Sequence, residues 1–192
     1  PHITFVARTD RLWFRTTLGK LCYRAIGALG LRNSLGRWFT YRQSAMMRSV
    51  MRRVKRALPD ASFTVVGLAP SGGFEGLAED LRTMRMDTGT ELQWCRAYAR
   101  SHIVVGVHGS NMLLPTAHAA GLIEILPRDR FGNFGQDVSI RYRDRMQLFL
   151  YRFVDEFADP GTVARNAVSM IRHFTVYHRN NITNTFGLHR TS

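Results

Sequence analysis

Four consecutive residues, His108-Gly109-Ser110-Asn111, bring an imidazole, a hydroxyl and an amide to one point of the chain. The glycine lets the backbone approach a ligand closely. Amides at the start of a following helix point outward, and the helix dipole favours an anion there. That combination suits a phosphate. The other reading is that Ser110 and Asn111 only cap the helix and His108 is a satisfied structural histidine. Further on, Glu124 interrupts the apolar run Leu122-Ile123-Glu124-Ile125-Leu126. A charge inside a strand is costly unless paired, so Glu124 should point into a cleft or meet a cation. Carboxylates in dinucleotide folds accept hydrogen bonds from ribose hydroxyls; an edge-strand Glu facing water is the alternative. Arg8, at the end of the first apolar run, could clamp a diphosphate with both ends of its guanidinium, or be one more cation of a basic segment. Arg130 and Asp137 are secondary candidates in the next loop. Neither GxxxxGK[ST] nor GxGxxG occurs.

These side chains need rigid elements behind them. Ile103-Val104-Val105-Gly106-Val107 is a short β-branched run of the kind buried on both faces of a parallel sheet. The loop after such a strand lies at the carboxyl edge of an open α/β sheet, where ligands bind. Residues 122–126 read as another buried strand, with a small-residue helix near 112–120 between the two. His2–Ala7 reads as the first strand and Ser62–Leu68 as the next, followed by a Pro-Ser-Gly-Gly loop at 70–73. Helical spacing covers Arg11–Leu31, weakened by glycines, and Arg42–Leu58, where Met47, Val50, Met51 and Val54 form one stripe. Gly76–Met84 reads as a short helix, and Thr88 with Glu91 has capping-box spacing for a helix to about Arg100. Pro127–Gln136 reads as a loop and Gln147–Val154 as a strand. Asp159 then caps a helix that has Pro160 in its first turn and runs to about Phe174, with a poorly ordered tail after Tyr177. Strands alternating with helices predict an α/β fold with a parallel sheet.

Charge is distributed unevenly. Between Arg8 and Arg56 there are 13 Lys or Arg against one acid, Asp10, whereas the remaining residues carry 14 basic against 13 acidic. Nearly all of the net charge of +13 therefore belongs to one segment. Trp13, Phe14, Trp38, Phe39 and Tyr41 interleave with these cations. Three readings follow: docking of 11–41 on an anionic membrane with aromatic anchors, a nucleic-acid contact without any recognised motif, or a solvated cationic face with the aromatics in the core. No apolar run reaches the roughly 18–20 residues that span a bilayer. No signal peptide is recognisable, and the opening Pro1 suggests a preceding part of the protein. Cys22 and Cys95 give neither a disulfide framework nor metal-ligand spacing; both read as small core residues, mildly favouring a reducing cytosol.

Val107-His108-Gly109, then Leu114-Pro115, then Ile123-Glu124, in that order after an arginine-ended strand, resembles the family-61 glycosyltransferases. Ser110-Asn111-Met112 stands where that family carries Ala-Gly-Leu. The resemblance covers about residues 90–130. It implies a Rossmann-like parallel sheet with flanking helices, one lobe of a two-lobed GT-B enzyme. Residues 1–176 would be the nucleotide-sugar-binding lobe, with the basic aromatic segment 11–58 inside it and 177–192 as a C-terminal tail. It implies inverting transfer from a nucleotide sugar to a glycan acceptor in surface or capsular polysaccharide synthesis, without metal or other cofactor. Arg8 and His108 would contact the diphosphate, Gly109, Ser110 and Asn111 would complete the donor loop, and Glu124 would hold the ribose. A general base would come from a preceding N-terminal lobe, so none is assigned. The expected location is the cytoplasm, peripheral on the inner membrane. The competing classes are a non-catalytic anion- or membrane-binding α/β module and, behind it, a nucleic-acid-binding domain.

Overall fold

The computed structural model describes residues 1–133 and 150–187, with the backbone alone for 33, 133 and 177–187. Among these residues six strands form one parallel sheet in the order β3-β2-β1-β4-β5-β6. They are β1 (His2–Val6), β2 (Ser62–Leu68), β3 (Glu79–Thr83), β4 (Ile103–Val107), β5 (Leu122–Leu126) and β6 (Tyr151–Asp155). The helices are α1 (Thr17–Ala28), α2 (Arg32–Ala57), α3 (Thr88–Ala99), α4 (Leu113–His118) and α5 (Pro160–Gly187). The sequence order reverses between β1 and β4. That is the switch point at which doubly wound sheets open a crevice at their carboxyl edge.

Alternation along the strands divides the core into two layers. Ile3 and Phe5 of β1, Val105 of β4 and Ile123 of β5 pack with Val50, Met51 and Val54 of α2 and with Val163 and Ala167 of α5. Val6, Val104 and Leu122, one residue out of phase, pack against Trp94, Tyr98 and Met112 on the opposite face. Gly106 belongs to that second face for a steric reason: a Cβ there would lie 2.4 Å from Met112 Sδ and 3.2 Å from Val6 Cβ. Its lack of a side chain lets the chain turn back over β4 directly after His108.

Several elements differ from the sequence expectation. Residues 76–84 hold no helix; β3 occupies Glu79–Thr83 and supplies the parallel partner that β2 needs on its outer side. Arg82 can sit in this strand with its side chain only 2 % exposed because Asp80 takes its guanidinium at 2.7 Å and the Gly72 carbonyl accepts at 2.6 Å. α1 begins at Thr17 rather than Arg11: Thr16 caps it by accepting from the Gly19 amide. The extended stretch before it is fixed by Trp13, whose amide donates to Gln43 and whose indole donates to the Ala158 carbonyl. α2 starts ten residues earlier than its apolar stripe suggested, and α3 is capped by Asp87, which accepts from Thr90 N, rather than by Thr88. Asp159 does cap α5, accepting from Gly161 and Thr162, but the helix continues to Gly187 instead of ending near Phe174. The remainder of the expected 127–136 loop beyond 133, the start of the expected 147–154 strand and Asp137 lie outside the described residues.

α1 reverses the usual polarity of a surface helix. None of its residues is buried. Its inward side carries Lys20, bonded to Glu156 at 2.5 Å and Asp129 at 3.2 Å, and Tyr23, which donates to the Thr9 carbonyl. Its outward side carries Leu18 and Leu21, 71 % and 54 % exposed, and Cys22. Cys22 is therefore not a core residue, and Cys95 is only half-buried. The aromatics of the basic segment divide: Trp13 and Phe39 enter the core, whereas Trp38 and Tyr41 stay exposed.

Candidate functional site

A cleft of about 170 Å³ opens at the switch point. β1 and β4 deliver its floor through the segment after Ala7 and through Val107; α1 roofs it with Lys20 and Tyr23; the turn after β5 closes it with Pro127 and Arg130. Arg11 reaches across from the β1 side to the loop after β4. Its Nη1 donates to Asn111 Oδ1 at 2.9 Å and its Nη2 to Ser110 Oγ at 3.1 Å. From the other side, Arg130 Nη1 donates to the His108 carbonyl at 3.3 Å.

Gly109 sits beneath both guanidiniums at φ +148°, a conformation that side chains rarely adopt. A Cβ at this position would fall 1.2 Å from Arg11 Nη1 and 2.7 Å from Arg130 Nη1. Glycine is thus required by its backbone angle, and a Cβ would in addition push the two guanidinium ends away from this point. Burial, and then the charge of Arg130, lowers the Arg11 pKa from its ordinary value. Two like charges held over one backbone amide make a place where an anion relieves repulsion. Asp10 lies on the rim, 3.8 Å from Arg11 Nε. Burial alone would raise the Asp10 pKa, but the hydrogen bond and charge of Arg8 outweigh it and hold the carboxyl below its usual range.

The residues singled out from sequence do not all arrive together. Gly109, Ser110 and Asn111 do not line the cleft itself; they lie beside it under Arg11, and Ser110 and Asn111 accept from Arg11 instead of capping α4, whose N-terminus has no side-chain cap. Arg8 is held by Asp10 through two bonds, of 2.7 and 3.0 Å, and Arg11 takes the position expected of it. His108 and Glu124 turn inward: they are 3 % and 1 % exposed, and His108 Nδ1 lies 2.6 Å from Glu124 Oε2. Glu124 meets an imidazole rather than opening into a cleft, and the ring lies 6.5 Å from that of Phe153, centroid to centroid. Neither residue lines the cleft; the pair is buried behind the loop that carries Gly109, Ser110 and Asn111. The His108 amide, which donates to the Ile125 carbonyl, ties that loop to β5 as well.

Arg11 was hidden among the cations of its segment. The signal that could have found it is the adjacent pair Asp10-Arg11 after Arg8: an acid two residues beyond an arginine can capture it and leave the next cation to project. Among the described residues, no His, Cys, Asp and Glu side chains gather in a group that would hold a metal ion.

The fold and cleft define an α/β protein with a Rossmann-like parallel sheet and a cationic crevice at its switch point. Comparison with family models, with curated proteins and with solved structures gives no match.

Proposed function

We propose that this chain is the donor-binding lobe of an inverting, metal-independent glycosyltransferase that uses a nucleotide sugar to build surface or capsular polysaccharide. The observation that carries this reading is the convergence of Arg11 and Arg130 on Gly109 at the switch point. A guanidinium fork matches phosphate oxygens in pairs. Sugar transfer makes the diphosphate a leaving group, so negative charge grows on its bridging oxygen as the glycosidic bond breaks. Fixed cations aimed at that oxygen stabilise the transition state more than the ground state. A cleft of about 170 Å³ is smaller than whole small-molecule sites, which run to ~300–1,000 Å³, and on this reading it takes the diphosphate with nucleoside and sugar beyond its rim. The resemblance over residues 90–130 supports the same chemistry.

The test is turnover. Full-length protein is incubated with UDP-, GDP- and CMP-sugars and mixed glycan acceptors, and nucleotide release is followed. Acceptor-dependent release supports the proposal, and binding without release would favour the anion-binding module. No binding of any of the three nucleotides refutes the donor reading.

The outward face of α1 supports placing this lobe on an anionic bilayer. Among the described residues no helix is long and apolar enough to cross a membrane. Leu18, Leu21, Leu29, Leu35 and Trp38 are nevertheless exposed, in a stretch from Arg11 to Pro59 that contains no acid. Apolar insertion plus cationic attraction is how interfacial helices hold to acidic lipid. Flotation with phosphatidylglycerol vesicles should fall sharply in a Leu18→Gln, Leu21→Gln double variant and in 0.5 M salt, given a Debye length of about 10 Å at 0.1 M. Equal flotation of wild type and variant contradicts the placement.

A further inference from the structure

A second and larger cavity, of about 750 Å³, opens on the other side of β1, beyond the carboxyl ends of β2 and β3. It shares Asp10, Tyr23 and Arg32 with the switch-point cleft, which makes the two neighbours across one wall. We infer that this cavity holds a second substrate, an acidic saccharide bearing carboxylate or phosphate groups, and that on the transferase reading this saccharide is the acceptor.

The wall chemistry carries the inference. Arg32, Arg37, Arg48 and Arg82 all line the cavity. Arg82 is committed to Asp80, at 2.7 Å, and Burial would raise the Asp80 pKa, but the hydrogen bonds from Arg82 and the Gly72 amide bring it below its usual range. Arg48 is braced: its Nη1 donates to the Gly73 carbonyl at 2.9 Å, and its guanidinium lies 5.5 Å from the Tyr41 ring and 5.8 Å from the Phe74 ring. Arg32 stacks over Tyr23 at 5.2 Å. Arg37 is exposed and pairs with no carboxylate among the described residues. The one carboxylate on the wall, Asp10, is already held by Arg8. The cavity therefore has cations in excess and a carboxylate that is spoken for.

That balance argues against a nucleoside. Dinucleotide folds read a ribose diol with a carboxylate, and an arginine takes its place when the ligand carries an added phosphate. Here the arginines stand without an available acid. The remaining walls suit a sugar. Thr9, Thr40 and Ser71 offer hydroxyls to partner hydroxyls, and Tyr41, 65 % exposed, adds aromatic surface for the C–H side of a pyranose. The volume falls within the range of whole small-molecule sites, ~300–1,000 Å³.

Calorimetry on the full chain tests this with tetragalacturonate as the carboxylate probe, mannose 6-phosphate as the phosphate probe and maltotetraose as the neutral control. One of the acidic probes should bind in the presence of saturating UDP, and the neutral one should not. R37E, at an exposed position, should weaken that binding at least about tenfold, the loss of one charge-assisted contact, with an unchanged melting temperature. Y41A should weaken it several-fold. Displacement of the acidic probe by UDP, equal affinity of both variants and wild type, or binding of maltotetraose as tight as that of the acids would each overturn the inference. Failure of both acidic probes to bind would also overturn it. If an acidic probe binds but UDP does not, the donor reading fails and the cavity's ligand class stands; if UDP binds but neither acid does, the reverse holds.

Discussion

Replacing His108 with alanine is expected to cost about 1–3 kcal/mol of folding free energy, the usual penalty for removing one partner of a buried hydrogen bond. Glu124 is 1 % exposed, and its Oε2 lies 2.6 Å from the imidazole. Without the ring, Glu124 Oε2 loses the buried hydrogen bond it now shares with the imidazole. Urea unfolding should show the midpoint falling by about 0.3–3 M, since m-values of small domains are about 1–3 kcal/mol/M. A His108→Leu, Glu124→Leu double variant should recover much of the loss, because well-packed apolar side chains commonly replace a buried pair at little cost. A midpoint within error of wild type in the single variant would mean that the pair does not hold the loop. The functional consequence is indirect: the pair supports Gly109 from below, so loosening it should disperse the geometry in which Arg11 and Arg130 meet.

Arg11→Gln is expected to weaken UDP binding by about 10–100-fold, which corresponds to the ~1.5–3 kcal/mol typical of hydrogen bonds to charged groups. Arg8→Gln should change it by less than about threefold, because Asp10 already occupies the Arg8 guanidinium with both oxygens. The contrast between neighbouring arginines is the informative result. Titration of both variants by calorimetry at fixed salt checks it, and the reverse ranking would restore Arg8 as the clamp.

The difference between Arg8 and Arg11 shows where sequence reasoning stops. β1, β2, β4 and β5 are legible because their β-branched runs have the composition of strands buried on both sides. The parallel sheet and the placing of the 108–111 loop at its carboxyl edge follow from that. β3 is not legible: Glu79-Asp80-Leu81-Arg82-Thr83 contains one apolar residue, and its strand character comes from pairing with β2 and from the Asp80–Arg82 contact. Which cation faces the cleft depends on a two-residue capture by Asp10 and on the anchoring of Trp13 by Gln43 and Ala158, contacts 30 and 145 residues away in the chain. Glu124 was legible as a charge needing a partner. That the partner would be His108 follows from the register of β4 with β5, in which Gly106 lies opposite Glu124, so the chain just beyond Gly106 passes over the carboxyl. The direction in which α1 faces was not legible in its apolar spacing, since polar partners at Glu156, Asp129 and Thr9 turn its charged side inward.

The most direct measurement is a crystal structure of the full-length protein with UDP. The account predicts diphosphate oxygens within hydrogen-bonding distance of the Arg11 and Arg130 guanidiniums, against the backbone of Gly109, with His108 and Glu124 still paired behind the loop. A nucleotide bound elsewhere, or one whose phosphates contact His108 and Glu124 while Arg11 remains on Ser110 and Asn111, would contradict it.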